Sequence, residues 1–415
     1  MSRPALDRAA TAADRLDRAL AAHAAGDLPA ATDGYRAALA ADPAEADALN
    51  LLGLAHYQRG EVDAALALLD RACRVAPDAV PARINLGTLH QDLGDLERAE
   101  THYRHALARA PDEVAALNNL GNTLTDLDQA TAALALFDRA LDHATGRARA
   151  EVLYNQHALL LDRVGPAVAE RAVTEAVTLA PDHALAWIAL AMLRAARGAT
   201  DAADAALAVV AELGASAAAL LDSAQTMRPW LVEDGARLLG STIGGLAFAL
   251  EHAHEPGLVL EFGVRFGHSL RAIAARAGQH VHGFDTFTGL PRAWYGHAPG
   301  LYSTGGVLPA MPPDVTLHAG LFADTLPGVL AAHPGAAVRF ANIDCDLYES
   351  TRDVLTLLAP RLRPGSVLAF DEYLMNPDWR ADEYRAFQKA VAHHGWRPEI
   401  LGVSPFSKQA VIRLA

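Results

Sequence analysis

Lysine is nearly missing from this chain. Lys389 and Lys408 are the only two, although Lys and Arg together number 35 in 415 residues. That skew reflects a GC-rich coding genome and excludes little about chemistry. The shortage of positive charge excludes more. A formal net charge of −14 argues against non-specific nucleic-acid binding, which needs a basic footprint to displace counterions. No run approaches the roughly 20 uninterrupted apolar residues of a membrane-spanning helix. The opening residues MSRPALDRAATAADRLDRAL mix acids among apolar positions, with no signal-peptide hydrophobic stretch. Cysteine is scarce: Cys73 and Cys345 fall in what read as different domains, so no disulfide is expected and a reducing cytoplasm fits. What is left is globular in composition, 52% hydrophobic, and long enough for two or three domains.

The first half repeats. Pro43, Pro77 and Pro111 recur at intervals of 34 residues. Small residues keep the same register at Ala31, Ala65 and Ala99, and again at Ala38, Ala72 and Ala106, with large ones between them at Tyr35, Leu69 and Tyr103. Gly26, Gly60 and Gly94 fall where two helices would turn, and Gly53 and Gly87 where they would touch. A fourth copy has Asp128 at its turn, a fifth ends at Pro181, and a sixth runs from Ala184 to about Gly214. This array resembles the tetratricopeptide repeat (TPR). One helix pair cannot bury its own apolar face, so stacking makes the core and leaves a groove. The resemblance implies a protein or peptide partner in that groove, or self-association into a homo-oligomer. Asn85, Asn119 and Asn155 share one position and could form a ladder for an extended peptide, or be ordinary repeat asparagines.

After Gly214 the register breaks at ASAAALLDSAQTMRPW, with Pro229 as punctuation. The expected division is a repeat domain over 1–214, a linker over 215–230 and a second domain over 231–415, entered by a helix over about 232–252. From Leu258 short apolar runs ending in glycines and acids alternate with helical stretches. Strands are expected at 258–263, 280–284, 315–319, 338–343, 366–370 and 410–414, and helices at about 267–277, 324–332, 350–362 and 380–394. Such alternation predicts a doubly wound, Rossmann-like α/β sheet with ligands at the strands' carboxyl ends.

The residues at those ends carry the chemistry. The first strand leaves through Glu261-Phe-Gly263-Val-Arg-Phe-Gly267, where glycines let backbone pass close to a ligand. The pattern lacks the third glycine of a dinucleotide site, which weakens an NAD-dependent oxidoreductase reading. There is also no G-x-S-x-G for a serine hydrolase. Asp285, at the end of the next strand, suits ribose hydroxyls, or caps a turn. Two later strands end in Asp344 and Asp346, and in Asp371 and Glu372. Carboxylates brought to one sheet edge need a cation or a shared proton, and all-oxygen ligation suits Mg²⁺. Asp346 and Ser350 would serve equally as helix caps.

Together VLEFGVRFGHSL, GFDTFTGLP, HAGLFADTLP, IDCDLYESTRDVLTLLAPRLRPGSVLAFDEY and QAVIRL resemble class I S-adenosylmethionine (SAM)-dependent methyltransferases, more narrowly the macrocin O-methyltransferase-like group. That resemblance implies a bacterial enzyme methylating a hydroxyl of a small-molecule or glycan acceptor. By the same resemblance Glu261, Gly263, Gly267 and Ser269 line the methionine end of the cofactor, Asp285 holds the ribose, and Gly320, Leu321 and Phe322 lie beside the adenine. It implies a divalent cation on Asp344, Asp371 and Glu372, and Asp344 or Asp346 as the proton acceptor. His282 and His318 are further possible bases, though histidine on an interior strand is more often packing. The long segment between Asp285 and Val315 reads as a lid, with Trp294, Tyr295, His297 and Tyr302 closing on the acceptor, or as a mobile surface loop. The competing reading of the chain is a TPR scaffold whose methyltransferase-like domain is inactive or only senses cofactor.

Overall fold

The computed structural model describes residues 3–294 and 299–415. It is a helical repeat array followed by a mostly parallel α/β sheet domain. Two compact units form, one of residues up to Leu124 with Asp138–His143, the other of Thr125–Phe137 with Ala144–Ala415. The helices are α1 (Arg3–Ala24), α2 (Leu28–Ala41), α3 (Ala46–Gln58), α4 (Val62–Val75), α5 (Val80–Asp92), α6 (Leu96–Arg109), α7 (Val114–Asp126) and α8 (Ala130–His143). They continue with α9 (Gly146–Arg163), α10 (Pro166–Leu179), α11 (Ala184–Ala196), α12 (Thr200–Glu212) and α13 (Ala218–Val232). No described helix is long and apolar enough to cross a membrane.

In the first unit α1–α2, α3–α4 and α5–α6 are helical hairpins. Ala31, Ala65 and Ala99 are sealed, as are Tyr35, Leu69 and Tyr103. A side chain on Gly53 would strike Leu69, and one on Gly87 would strike the Tyr103 ring. Gly60 and Gly94 turn in the left-handed region (φ +74° and +67°), and Asp128 takes the equivalent place at +60°, a conformation aspartate tolerates better than most residues. Asn85 Nδ2 donates to Asn50 Oδ1 at 2.9 Å and Asn119 Nδ2 to Thr88 Oγ1 at 3.2 Å. Asn155, in the second unit, is engaged as well. The first two amides are therefore stitching between successive repeats.

In the second unit α9–α10 and α11–α12 are hairpins, and α13 packs on α11. Residues 215–230 hold a single 3₁₀ turn (Ala215–Ala217) and most of α13, with Pro229 in its last turns. The helix expected over 232–252 is cut in two. Gly235 is left-handed (φ +73°), the chain then extends through β1 (Arg237–Leu238), and α14 (Thr242–His252) starts afresh. The cause is local. Asp162 of α9 accepts Gly240 N at 2.9 Å, Ser241 N at 2.8 Å and Ser241 Oγ at 2.7 Å, and Ser241 Oγ in turn caps α14 through Gly244 N.

The remaining elements are β2 (Leu258–Phe262), α15 (His268–Ala277), β3 (Val281–Asp285), β4 (Val315–Ala319), α16 (Phe322–Ala332), β5 (Val338–Ile343), α17 (Tyr348–Leu358), β6 (Val367–Phe370), α18 (Glu383–His394), β7 (Pro398–Val403) and β8 (Ala410–Leu414). The sheet order is β1-β7-β8-β6-β5-β2-β3-β4, with only β8 antiparallel to its neighbours. β1 and β7 are absent from the strands expected above: one has two residues, and the other carries Pro398, Gly402 and an exposed first half. Phe262, Phe284, Phe340 and Phe370 are sealed within the sheet core. The parallel register sets Phe262 beside both Phe284 and Ile343, and Ile343 beside Phe370. Four strands thus release their next residues at one edge.

Candidate active site

Glu261 lies one residue before the end of β2 and is fully buried. Its register partner on β5, Asn342, donates Nδ2 to Oε1 at 3.0 Å, and Ser269 in the first turn of α15 bonds it as well. Its Oε2 has no partner. Burial pushes this carboxyl up to about 8, against the two hydrogen bonds. Gly263 (φ +96°) and Gly267 (φ +77°) need glycine for two reasons: the left-handed backbone, and the absence of room. A Cβ on Gly263 would overlap the Asp344 carbonyl, and one on Gly267 would overlap Met311.

Asp285 holds this loop in shape. Its Oδ2 accepts Val264 N at 2.9 Å and Arg265 N at 2.8 Å, and its Oδ1 accepts Phe287 N at 2.6 Å. Past β4, Gly320 N donates to the Asp285 carbonyl at 2.9 Å. The Phe322 ring meets Phe262 edge-on at 5.4 Å, Phe262 stacks on Phe284, and Phe284 stacks on His318. His282 Nδ1 and His318 Nε2 are 3.1 Å apart, and burial pushes His282 down to about 4. These histidines pack against the outer strands.

The acids collect at the ends of β5 and β6. Asp344 N donates to Phe262 O at 2.9 Å, and Asp371 N to Ile343 O at 3.0 Å, so the backbone ladder continues one residue past the strands. Asp346 is left-handed (φ +57°). Burial, reinforced by Glu372 and Asp371, pushes its carboxyl up to about 8. Burial and Asp371 raise Asp344 too. Asp371 is pushed up to about 6 by burial and by Glu372, with Gln409 Nε2 donating to its Oδ1 at 2.8 Å. Glu372 receives Lys408 Nζ at 3.1 Å and the Asn376 amide. Glu383, fully buried on α18, accepts Cys345 N at 3.0 Å and Glu372 N at 3.1 Å, tying the two acid segments together. Among the described residues no group of three or more His, Cys, Asp or Glu side chains is arranged to hold a metal ion.

Two neighbouring segments frame the acids. Trp294 Nε1 donates to Asp382 Oδ2 at 3.3 Å, and the Arg265 guanidinium lies 4.4 Å over the Tyr302 ring. Tyr295 and His297 lie outside the described residues. From below, Ser223 Oγ accepts Met375 N at 2.9 Å, and Asp222 accepts Trp379 Nε1 together with both Nε and Nη2 of Arg380. Sequence reasoning assigned no role to Asn342, Glu383, Lys408 or Gln409. They sit in three separated segments, and although Gln409 opens the stretch QAVIRL, nothing in that stretch reports its partner, so only the folded register could collect them.

A family profile described as a methyltransferase domain matches residues 260–373, and one described as a tetratricopeptide repeat matches 16–80 and 84–148. The chain is similar to 8-demethyl-8-(2,3-dimethoxy-alpha-L-rhamnosyl)-tetracenomycin-C 4'-O-methyltransferase of Streptomyces olivaceus, 34% identical, with 29% of this chain and 54% of that protein covered. It is also similar to demethyldecarbamoylnovobiocin O-methyltransferase of Streptomyces niveus, 42% identical over 18% of this chain and 27% of that protein. A solved calicheamicin methyltransferase is 28% identical, with 41% of this chain and 77% of that one covered at a TM-score of 0.35. The chain therefore spans about half or less of the length of the curated relatives it matches. What the fold and the two family profiles establish together is a tetratricopeptide repeat array joined to a methyltransferase domain.

Proposed function

We propose that this chain transfers the methyl group of SAM to a hydroxyl of a small-molecule, sugar or carrier-bound acceptor. The observation that carries this reading is the convergence, at one sheet edge, of a glycine loop with no room for side chains, a buried Glu261 with one unpartnered oxygen, and the half-buried Asp344 and Asp346. Bound SAM would supply an activated methyl electrophile. The chain's own task is then to align the acceptor, worth up to roughly 7–11 kcal/mol in ideal geometry, and to take a proton. Glu261, Gly263, Gly267 and Ser269 would hold the methionine end. Asp285 would serve the ribose through lone pairs left beyond its three backbone bonds, and Gly320 and Phe322 would flank the adenine. Asp346, pushed up to about 8, is a stronger base than an ordinary carboxylate and would accept the acceptor's hydroxyl proton in its ionised form, which gains population as pH rises toward 8.

The cation expected on Asp344, Asp371 and Glu372 does not fit the donors as they stand. Both Glu372 oxygens already take the Lys408 ammonium and one of them the Asn376 amide, while Asp371 takes Gln409 on one oxygen. A cation would have to displace a charge already in place, so no step is routed through a metal. The repeats would recruit a protein partner or the acceptor's carrier, or join two copies of the chain. The tetracenomycin relative is named for a hydroxyl on a rhamnosyl group, which makes deoxysugar acceptors the first to try. Calorimetry with S-adenosylhomocysteine should give one site per chain. Incubation with SAM and TDP-rhamnose or rhamnosylated polyketides should then give a methyl ether by mass spectrometry. No cofactor binding at all would sink the enzyme reading.

A further inference from the structure

Resting on the reading of this cleft as a methyl-transfer site, we propose that the ammonium of Lys408, and not a bound divalent cation, is the resident counter-charge of the acids at the ends of β5 and β6. The antiparallel register of β6 with β8 pairs Phe370 with Ala410. Continued two residues beyond the strands, it sets Gln409 opposite Asp371 and Lys408 opposite Glu372. Both contacts are made: Gln409 to Asp371 at 2.8 Å, and Lys408 Nζ to the two Glu372 oxygens at 3.1 and 3.4 Å. Lys408 also acts electrostatically on Asp346 and Asp371.

The loop is built to present it. Lys408 is left-handed (φ +59°), a conformation unfavourable for a side chain of this size and kept only where the surroundings enforce it. Ser404, fully buried, does the enforcing: its Oγ accepts Phe406 N and Ser407 N and donates to Gly240 O, while its N–H donates to Gln409 O. Leu374 N donates to the Lys408 carbonyl, fastening this loop to the segment after Glu372. The residue is also one of two lysines in a chain that otherwise uses arginine. A compact ammonium fits a confined carboxylate pocket as a point charge, where a planar guanidinium would demand bidentate space. A hard cation needs six or more oxygens at roughly 2.0–2.6 Å, and one reaching Glu372, both of whose oxygens take Lys408 and one of them Asn376, would have to displace that ammonium.

Mn²⁺ is the probe, followed by electron paramagnetic resonance and calorimetry on the full chain. Wild-type protein should show no saturable site in the range of a resident ion. Lys408→Met should open one, raising Mn²⁺ affinity about tenfold or more as the repelling charge leaves, and adding Asp371→Asn should abolish the gain. Lys408→Gln, which keeps a hydrogen bond to Glu372 while losing the charge, repeats the test if the methionine variant does not fold. Tight one-to-one binding by the wild type overturns the proposal, and so does a folded, charge-free variant that gains nothing. S-adenosylhomocysteine binding, measured in parallel, reports on the methyl-transfer reading separately, so that failure of one is told apart from failure of the other.

Discussion

Asp346, proposed to take the acceptor's proton, and the fully buried Glu261 ask for different tests. Replacing Asp346 with Asn keeps its size and its place. If it takes the acceptor's proton, turnover should fall about 10²–10⁴-fold while calorimetry shows S-adenosylhomocysteine affinity unchanged. Glu261 is a stability probe. Its folded value of about 8 lies above the ordinary 4.5, so between those limits the native state holds a proton that the unfolded chain has released. The contribution of this group to the unliganded protein's stability should therefore be full below about pH 4.5 and drain away as pH rises through about 8, by at most about 1.4 kcal/mol per unit. Melting temperatures across that window should slope downward, and Glu261→Gln should make the slope shallower while the raised Asp344, Asp346 and Asp371 keep the remainder. A steeper decline in the variant would place the linkage elsewhere.

At the scale of elements, two close approaches decide whether pieces dock. Gly87 lies against the Tyr103 ring with no space for a methyl group. Gly87→Ala should destabilise α5–α6 by about 1–3 kcal/mol, as overpacking does, read in thermal unfolding with the cofactor site intact. Asp162 holds the start of α14 through three hydrogen bonds. Asp162→Ala would leave two backbone N–H groups in a part-buried junction, at about 1–3 kcal/mol each. Hydrogen exchange should show α14 opening first, and unchanged protection there would refute the junction's role. The glycines, the repeat period and the strand ends were all legible in the sequence, because each follows from spacing or from backbone geometry. The break at 233–241 was not. It depends on a carboxylate some eighty residues earlier, which no local pattern reports.

At the scale of the whole molecule, the compact unit that holds the sheet also contains α9–α13. We propose a boundary near 215–230 for the repeat register, yet Ser223 and Asp222 of α13 are bonded to Met375, Trp379 and Arg380 beyond the acids of β6. A fragment of residues 231–415 would lose those partners and expose the buried Trp379 and Met375. Such a fragment should lack a cooperative melt, whereas 144–415 should retain one. Equal behaviour of the two fragments would show that α9–α13 contribute nothing to the sheet domain's stability.

The sequence by itself determined the two architectures, the 34-residue period, the glycine loop after β2 and the acids that end β5 and β6. Each is a local consequence of residue size, φ freedom or strand alternation. Which groups balance those acids was left to the tertiary structure. The antiparallel return of β8 lays Lys408 and Gln409 across Glu372 and Asp371, and Glu383 reaches back from α18 to bind the backbone of both acid segments. Register between distant strands, not any motif, decides that pairing. A chain with almost no lysine has one of its two bonded to Glu372.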